Sequence, residues 1–257
     1  DGDVLRVRLR ERFFDLNQKA CPVFAGTGGV EGTADMTGQP KPMIWGGAYN
    51  ASPVLLNPSY LTYLVSATGN VSGHHAKDSG SVIARQLTAG AQEDDAAASF
   101  SALQGLSVTV GHYATHATSG TLKLGSPPVG QVTVDAASTV SDDPAEVIKA
   151  ILESAGIATS GVLSQIDSGD FDDVTTWATA EDSHVGIYVR DTSTTFGQCI
   201  SAIAASIGAW IGYDRWGTIR IAVVIDPADM TSALSIGMDD VISIKRTTSG
   251  DAGRGVP

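Results

Sequence analysis

The most constraining feature of the sequence is a helix signal that runs directly into a hairpin signal. Thr195 and Gln198 have the spacing of a capping box, and apolar positions recur with helical spacing up to Gly208. A glycine directly after the last apolar position is typical of a helix end. Alternating apolar residues over 209–213 and 218–225, separated by a short turn, then predict a β-hairpin. A chain with this signal contains helix and sheet in one unit.

A second helix is predicted over residues 143–155. Asp143 is a suitable N-cap, Pro144 fits the first helical position, and Gly156 can end the helix in a left-handed conformation. A shorter helix is predicted near 171–178, where apolar residues stand three apart. The apolar face of the second helix consists of Val147, Ile148, Ile151, Leu152 and Ala155.

We expect the two longer helices to pack on one sheet, because each carries an apolar face that nothing else nearby would cover. Residues 136–225 are therefore predicted to form a small α+β unit. The sheet of this unit is predicted to contain the segments 185–189, 209–213 and 218–225.

Residues 22–60 carry an unusual density of glycine and proline. Pro40 and Pro42 disfavour a helix or a central strand around them, so a long extended connection is predicted. Long structured connections usually serve an interface. This connection therefore indicates a protein that is stabilised by neighbouring subunits. We expect a ring-forming homo-oligomer, with a trimer as the expected state.

The stretch between these parts is predicted to be rich in β-strands. A short helix is predicted over 94–103, with Phe100 and Leu103 as its apolar anchors. Strands are predicted around residues 108–110, 122–124 and 132–134, with glycines at the turns, and a last strand over 241–246.

The predicted fold class is a β-rich α+β protein in four parts. The chain starts without a methionine, immediately before a strand signal, so we expect it to be an interior piece of a longer polypeptide. The parts are the end of a first β domain with the extended connection over 1–46, a β-rich domain with a short helix over 47–135, the α+β domain over 136–225, and a return strand leading into a further domain over 226–257.

The charge and the composition of the chain bound its partners. The formal net charge is -12, and an acidic protein repels nucleic-acid phosphates and anionic lipids. No segment approaches the roughly 20 apolar residues that span a bilayer. We therefore expect no nucleic-acid binding and no membrane span. Cys21 and Cys199 are too few for a disulfide framework and are predicted to be two separate, unpaired thiols.

A basic stripe stands out near the start of this acidic chain. Residues 4–10 alternate between apolar and basic side chains, which is typical of a half-buried strand. Two interpretations remain open, a solvated strand face with acidic neighbours or a docking edge for an acidic surface of another subunit. The candidate interface residues are Arg6, Arg8 and Arg10.

Pairs of adjacent aspartates are the main candidates for acid–base chemistry. Most of them stand at or near the start of a predicted helix, where capping and the helix dipole explain acidic residues without catalysis. We therefore expect no catalytic residues among them. The pairs are Asp94–Asp95, Asp142–Asp143, Asp172–Asp173 and Asp239–Asp240.

The sequence offers two weak candidates for a metal site. The acidic run over 167–173 departs from the order of an EF-hand loop, and Phe171 interrupts it. His112 and His116 are four residues apart, but in a strand-like context this spacing separates them by ~13 Å along the strand. The sequence also has no nucleophile elbow, no P-loop and no dinucleotide-binding frame. We expect no metal, no cofactor and no enzymatic activity.

Several sequence blocks resemble the tail proteins of long-tailed bacteriophages. The blocks occur in the order of that family and cover nearly the whole chain. They are 38–46 (GQPKPMIWG), 54–58 (VLLNP), 122–135 (LKLGSPPVGQVTVD) and 206–220, which contains SIGAW and YDRWGTIR.

The resemblance implies a structural tail-tip or baseplate hub component of a siphovirus-like virion. Such hubs are built from small β-barrels with inserted α+β domains and are usually trimers on the tail axis. The expected partners are other copies of the chain, the distal tail protein and other tail-tip or fibre proteins. The stretch 66–90 departs from the family pattern at 74–78 (HHAKD), which favours an insertion specific to this virus.

Two alternatives from other functional classes stay open. One is a tail-associated cell-wall or polysaccharide hydrolase, which would need a pair of acids in one cleft. The other is a host-surface binding module. Such modules usually carry sequence repeats and exposed aromatic residues, and the sequence has no internal repeat.

Overall fold

The structure is a computed structural model that describes residues 16–69, 71–79, 84–85, 93–128, 130–138, 141–157 and 165–224. Within 71–79, 84–85 and 93–95 it describes the backbone alone. The basic stripe of Arg6, Arg8 and Arg10 lies outside the described residues, as does the strand predicted over 241–246.

The described residues form strands up to residue 96, and from there on α-helices are interspersed among the strands. The strands are β1 (Met43–Ala51), β2 (Val54–Asn57), β3 (Thr62–Leu64), β4 (Val71–Ser79), β5 (Ala84–Arg85), β6 (Glu93–Ala96), β7 (Tyr113–His116), β8 (Thr121–Leu124), β9 (Gln131–Ser138), β10 (Gly186–Val189), β11 (Ala209–Tyr213) and β12 (Ile219–Val223). The helices are α1 (Phe100–Gly105), α2 (Pro144–Ser154), α3 (Ser168–Ala180) and α4 (Phe196–Ser206).

The first sheet has the strand order β10-β1-β9-β4-β5 and is antiparallel throughout. β1 pairs with β10 through its first residues and with β9 through its last residues. Buried residues alternate with more exposed ones along β9, as expected for a strand with one face in a core. This sheet therefore connects strands between residues 43 and 138 to the segment that precedes α4.

The predicted extended connection over 22–60 is wrong for residues 43–57, which form β1 and β2. The irregular part ends at Pro42, directly before β1, so the prolines mark the start of a strand and do not exclude one. Before Pro42 the chain makes two short 3-10 helices. Lys41 holds this part together, because its Nζ lies 2.5 Å from Glu31 Oε1.

The second sheet has the strand order β2-β3-β8-β7-β6, in which β6 and β7 run parallel. The strands predicted around 122–124 and 132–134 are confirmed as β8 and β9. The strand predicted around 108–110 is wrong. The backbone turns there, because His112 N–H donates to the Thr109 carbonyl at 3.0 Å, and Val110 is 76% exposed.

The helix predicted over 94–103 begins later than expected. Ser99 caps α1 by accepting a hydrogen bond from Ala102 N–H at 3.0 Å, so the helix starts at Phe100. The preceding acidic residues belong to β6. Leu103 is fully buried and anchors α1 as predicted.

The helices predicted in the α+β unit are confirmed. Asp143 caps α2 by accepting from the N–H groups of Ala145 and Glu146. Both hydrogen bonds of the capping box between Thr195 and Gln198 are present at the start of α4. The third helix, α3, is longer than predicted, because Asp167 caps it and the helix begins at Ser168, three residues before the first predicted position.

The predicted sheet of the α+β unit is wrong in one member. The hairpin of β11 and β12 forms as expected, with Asp214–Gly217 as its turn. β10 does not join the hairpin and pairs with β1, where Met43 stands opposite Val189. β10 and β1 approach each other closely at Gly186, since a Cβ on this residue would lie 1.8 Å from the Gly47 carbonyl oxygen.

One hydrophobic core nevertheless unites the helices with both the first sheet and the hairpin. Trp45 of β1 contacts Phe196 of α4 edge to face, with ring centroids 6.1 Å apart. Ile219 and Ile221 of β12 enter the same core. The large, fully buried side chains that the helices contribute to it are those of Ile148, Ile151, Leu152, Phe171 and Ile200.

The described part of the chain is thus a mixed α+β protein with several antiparallel sheets. The described strands close no barrel, since each sheet has two ends. The described residues up to Val223 form one compact unit. The predicted domain boundaries at 46/47 and 135/136 fall within β1 and β9, and the division into domains stays a prediction. Among the described helices, none is long and apolar enough to cross a bilayer.

Candidate functional site

A small open cavity of about 190 Å³ lies where α2, α3 and the segment before β10 meet. We call it the acidic notch. Its chemically distinctive side chains are those of Asp142, Asp182 and His184. Ser141, Ser183 and Thr179 add hydroxyl groups to its wall.

His184 stands between two carboxylates in this notch. Its Nδ1 lies 3.1 Å from Asp142 Oδ1, and its Nε2 lies 3.1 Å from Asp182 Oδ1. The hydrogen bond to Asp142, followed by the one to Asp182, raises the pKa of His184 above its ordinary value. Asp182 adopts a left-handed conformation with φ of 50°, which turns the chain from α3 towards β10.

The notch is poorly suited to nucleophilic catalysis. A general base needs a ring nitrogen that can accept a proton from the nucleophile, whereas both nitrogens of His184 face carboxylates. The imidazole is also 60% exposed, so bulk water competes for it. The arrangement favours a protonated histidine that ties two loops together.

The capping interpretation of the aspartate pairs holds at α2. The Asp143 carboxylate accepts from Ala145 N–H at 2.9 Å, from Glu146 N–H at 3.1 Å and from the Thr175 hydroxyl at 3.1 Å. Asp172 and Asp173 lie near the start of α3 and are exposed. The interpretation is wrong for the pair 94–95, which lies in β6, and the pair 239–240 lies outside the described residues.

Two aspartates of the acidic run over 167–173 bind a basic side chain of the protein itself. The guanidinium of Arg220 binds Asp170 in a bidentate pair, with Nη2 2.9 Å from Oδ1, and lies 3.5 Å from Asp167 Oδ2. These carboxylates raise the pKa of Arg220. Among the described residues, no cluster of histidine, cysteine and acidic side chains could hold a metal ion. His116 lies in β7 and its Nδ1 bonds Ser119 Oγ at 2.6 Å.

Both cysteines are unpaired, as predicted, and both are buried. The Cys21 thiol donates to the Val189 carbonyl at 3.4 Å. Burial raises the pKa of Cys199 to about 11, so its thiol stays protonated at neutral pH. Neither residue has the properties of a reactive nucleophile.

A second candidate lies on the side of the hairpin that faces away from the core. We call it the outer hairpin face, and it carries Trp210, Gly212, Arg220 and Ala222. The indole of Trp210 is 57% exposed and lies across Gly212, where a Cβ would approach its ring to 2.5 Å. At the turn Trp216 is 79% exposed, and the Arg215 guanidinium stacks on its ring at 4.8 Å.

The sequence analysis did not predict this exposed aromatic surface. The alternation over 209–213 places Ala209, Ile211 and Tyr213 on the core side, which leaves Trp210 on the opposite side. The register alone could therefore have identified it. Trp and Arg are the residue types most enriched in protein–protein hot spots.

Comparison of the chain with protein-family models, with curated proteins and with solved structures finds no match.

Proposed function

We propose that the chain is a structural component of a bacteriophage tail tip or baseplate hub, located at the end of the tail in the virion. In this role it binds further copies of itself and neighbouring tail proteins, and it links the tail tube to host-binding or fibre proteins. The proposal includes the trimeric ring and the hub-type architecture that the resemblance implies. It assigns no catalytic reaction to the chain.

One observation carries the proposal. The block 206–220, which resembles the phage tail proteins, is the segment that forms the exposed hairpin. One side of this hairpin enters the core, while the other presents Trp210 to solvent and the turn presents Arg215 and Trp216. Large exposed aromatic side chains on a short, regular hairpin are typical of an assembly surface and are costly to leave uncovered.

The direct test is to locate the chain in particles. Antibodies raised against the purified chain are applied to virions encoded by the same genome and detected with gold particles. The proposal predicts label at the end of the tail distal to the capsid. Label on the capsid alone, or on no part of the particle, contradicts it.

A host-surface binding module is the second candidate. The exposed rings of Trp210 and Trp216 favour it, because aromatic side chains also bind sugars and receptor surfaces. Sedimentation with host cells distinguishes a binding module from a hub component. A binding module sediments with host cells when it is purified, and the Trp216→Ala variant does so less. A hub component remains in the supernatant.

A further inference from the structure

The helices α2 and α3 end with the same backbone geometry but differ in one residue. After α2, Gly156 adopts a left-handed conformation with φ of 74°, and Ile157 N–H donates to the carbonyl five residues before it at 3.0 Å. After α3, Asp182 occupies the left-handed position with φ of 50°, and Ser183 N–H donates to the carbonyl five residues before it at 2.8 Å. Both ends follow the Schellman motif, in which the left-handed residue is usually glycine.

An aspartate at the left-handed position is less favourable than a glycine for two reasons. Its Cβ disfavours the left-handed backbone, and its carboxylate lies at the negative end of the helix dipole. Glu181, the C-cap, adds a second acidic residue there, and the last turn of α3 contains no basic residue. A cation placed beside this helix end therefore stabilises it.

His184 is this cation when it is protonated. Its Nδ1 lies 3.1 Å from Asp142 Oδ1, in the segment before α2, and its Nε2 lies 3.1 Å from Asp182 Oδ1, at the end of α3. Only an imidazolium donates from both ring nitrogens, because a neutral ring directs one lone pair at a carboxylate. In agreement with this geometry, the hydrogen bond to Asp142, followed by the one to Asp182, raises the pKa of His184.

The other titratable groups that line the acidic notch are all carboxylates, those of Asp142, Asp143 and Asp182. The Asp143 carboxylate accepts from two N–H groups of α2 and from the Thr175 hydroxyl. Among the residues that line the notch, His184 is therefore the one that can balance the charge of Asp142 and Asp182.

The chain directly after His184 is held in place by contacts that do not depend on the imidazole. Val185 N–H donates to the Asp142 carbonyl at 2.8 Å, and Gly186 pairs with β1. The close approach of β1 at Gly186 leaves β10 little room to shift. A change in the charge of the imidazole is therefore expected to move residues 181–184 alone.

We infer that His184 is a pH-sensitive latch for the loop of residues 181–184, which connects α3 to β10. The protonated imidazole holds the end of α3 against the segment before α2. When the proton is lost, at most one of the two carboxylate contacts remains, and the loop opens locally while the core stays folded. The inference is independent of the proposed assembly role.

The direction of the pH dependence follows from the raised pKa of His184. The latch is closed below about pH 6.5, the ordinary value for histidine, and it opens as the pH rises through the raised folded-state pKa.

Amide hydrogen exchange of the whole 257-residue chain, followed by NMR, tests the latch. The reporter is Ser183 N–H, and the internal control is Ile157 N–H, which makes the same hydrogen bond at the end of α2. Protection factors are corrected for the intrinsic dependence of exchange on pH. Between about pH 5.5 and about 8.5, the protection of Ser183 should fall about two- to fivefold, whereas that of Ile157 should stay constant.

Two variants distinguish the latch from a loop that is merely held by packing. His184→Gln keeps a polar side chain but cannot carry the charge, so Ser183 should show low protection at every pH. Asp182→Gly places the favoured residue at the left-handed position, so Ser183 should stay more protected than in the wild type at high pH. Circular dichroism of both variants shows that the core is folded.

Two results overturn the inference. One is a protection of Ser183 that stays constant with pH in the wild type, since the loop then does not respond to the imidazole. The other is an equal fall of protection in His184→Gln, since a different group then titrates. Neither result depends on where the chain is located in a particle.

Discussion

Trp45 and Phe196 meet edge to face with their ring centroids 6.1 Å apart, and this contact joins the first sheet to α4. Trp45 is 1% exposed, and its Nε1–H donates to Ser154 Oγ of α2 at 3.2 Å. One side chain therefore connects an early strand of the chain with two helices from its later part. The helices and the first sheet should accordingly unfold together.

Replacing Trp45 with alanine tests this connection. The change removes a buried indole and leaves a cavity between β1, α2 and α4, so we expect a loss of about 3–5 kcal/mol in the free energy of unfolding. Trp45→Phe keeps most of the buried area and should lose clearly less. Urea unfolding followed by fluorescence and by circular dichroism provides the values. Separate transitions for the two probes would contradict a shared core.

A buried charge on either long helix tests the assignment of the helix faces. Ile151 of α2 and Ile203 of α4 are 0% and 3% exposed. Ile151→Asp and Ile203→Asp each place an unpaired carboxylate in the core and should unfold the unit at room temperature. Ser201→Asp, on the exposed side of α4, is the control and should change little. Unchanged thermal unfolding of either isoleucine variant would show that its helix face is assigned wrongly.

The acidic notch predicts a dependence of stability on pH. The contacts of His184 with Asp142 and Asp182 raise its folded-state pKa above the ordinary value of 6.5. The histidine therefore stabilises the fold fully below about pH 6.5, and this contribution is lost as the pH rises through the raised folded-state pKa. Melting temperatures of the wild type and of His184→Gln, measured across this range, should converge at high pH.

The control for this experiment removes one carboxylate at a time. Asp142→Asn and Asp182→Asn should each lower the pKa of His184, which histidine NMR titration measures directly. A difference between wild type and His184→Gln that stays constant with pH would mean that the notch does not hold a protonated imidazole.

The ion pair between Arg220 and Asp170 should contribute modestly to stability. The arginine side chain is 41% exposed, so solvent screens the pair, and its bidentate geometry offsets part of that loss. We expect Arg220→Ala to lower the free energy of unfolding only slightly, and a double-mutant cycle with Asp170→Asn to give a small favourable coupling. Arg220→Lys should keep only part of the stabilisation, since lysine cannot bind both carboxylate oxygens in one plane. A coupling of zero would show that the two side chains act independently.

The sequence was sufficient to predict those elements that are specified by residues adjacent in the chain. The capping box at Thr195 and the alternation over 209–213 specify α4 and β11 from neighbouring residues alone. The pairing of β1 with β10 was not predictable in this way, because it joins segments that are remote in sequence. β1 also contains paired glycines and follows a proline, which conceals its strand character.

The same distinction applies to the candidate site. Contacts between sequence neighbours were predictable, whereas contacts made by packing were not. Asp143 was correctly predicted to be a helix cap, since the cap and the first turn are adjacent in sequence. The acidic notch was not predicted, because Asp142 and His184 come from different elements and meet only through the packing of α2 on α3. The outer hairpin face follows from the alternation over 209–213, which places Trp210 on the side opposite the core.

Deletion of the gene from the genome that encodes it is the most direct test of the proposed role as a structural part of a phage tail end. The deletion and its complementation with the wild-type gene are compared by electron microscopy of negatively stained particles and by infectious titre. If the chain has this role, the deletion yields particles without a complete tail end and a loss of infectivity, both restored by the wild-type gene. Complete tails and a normal titre in the absence of the chain would contradict it.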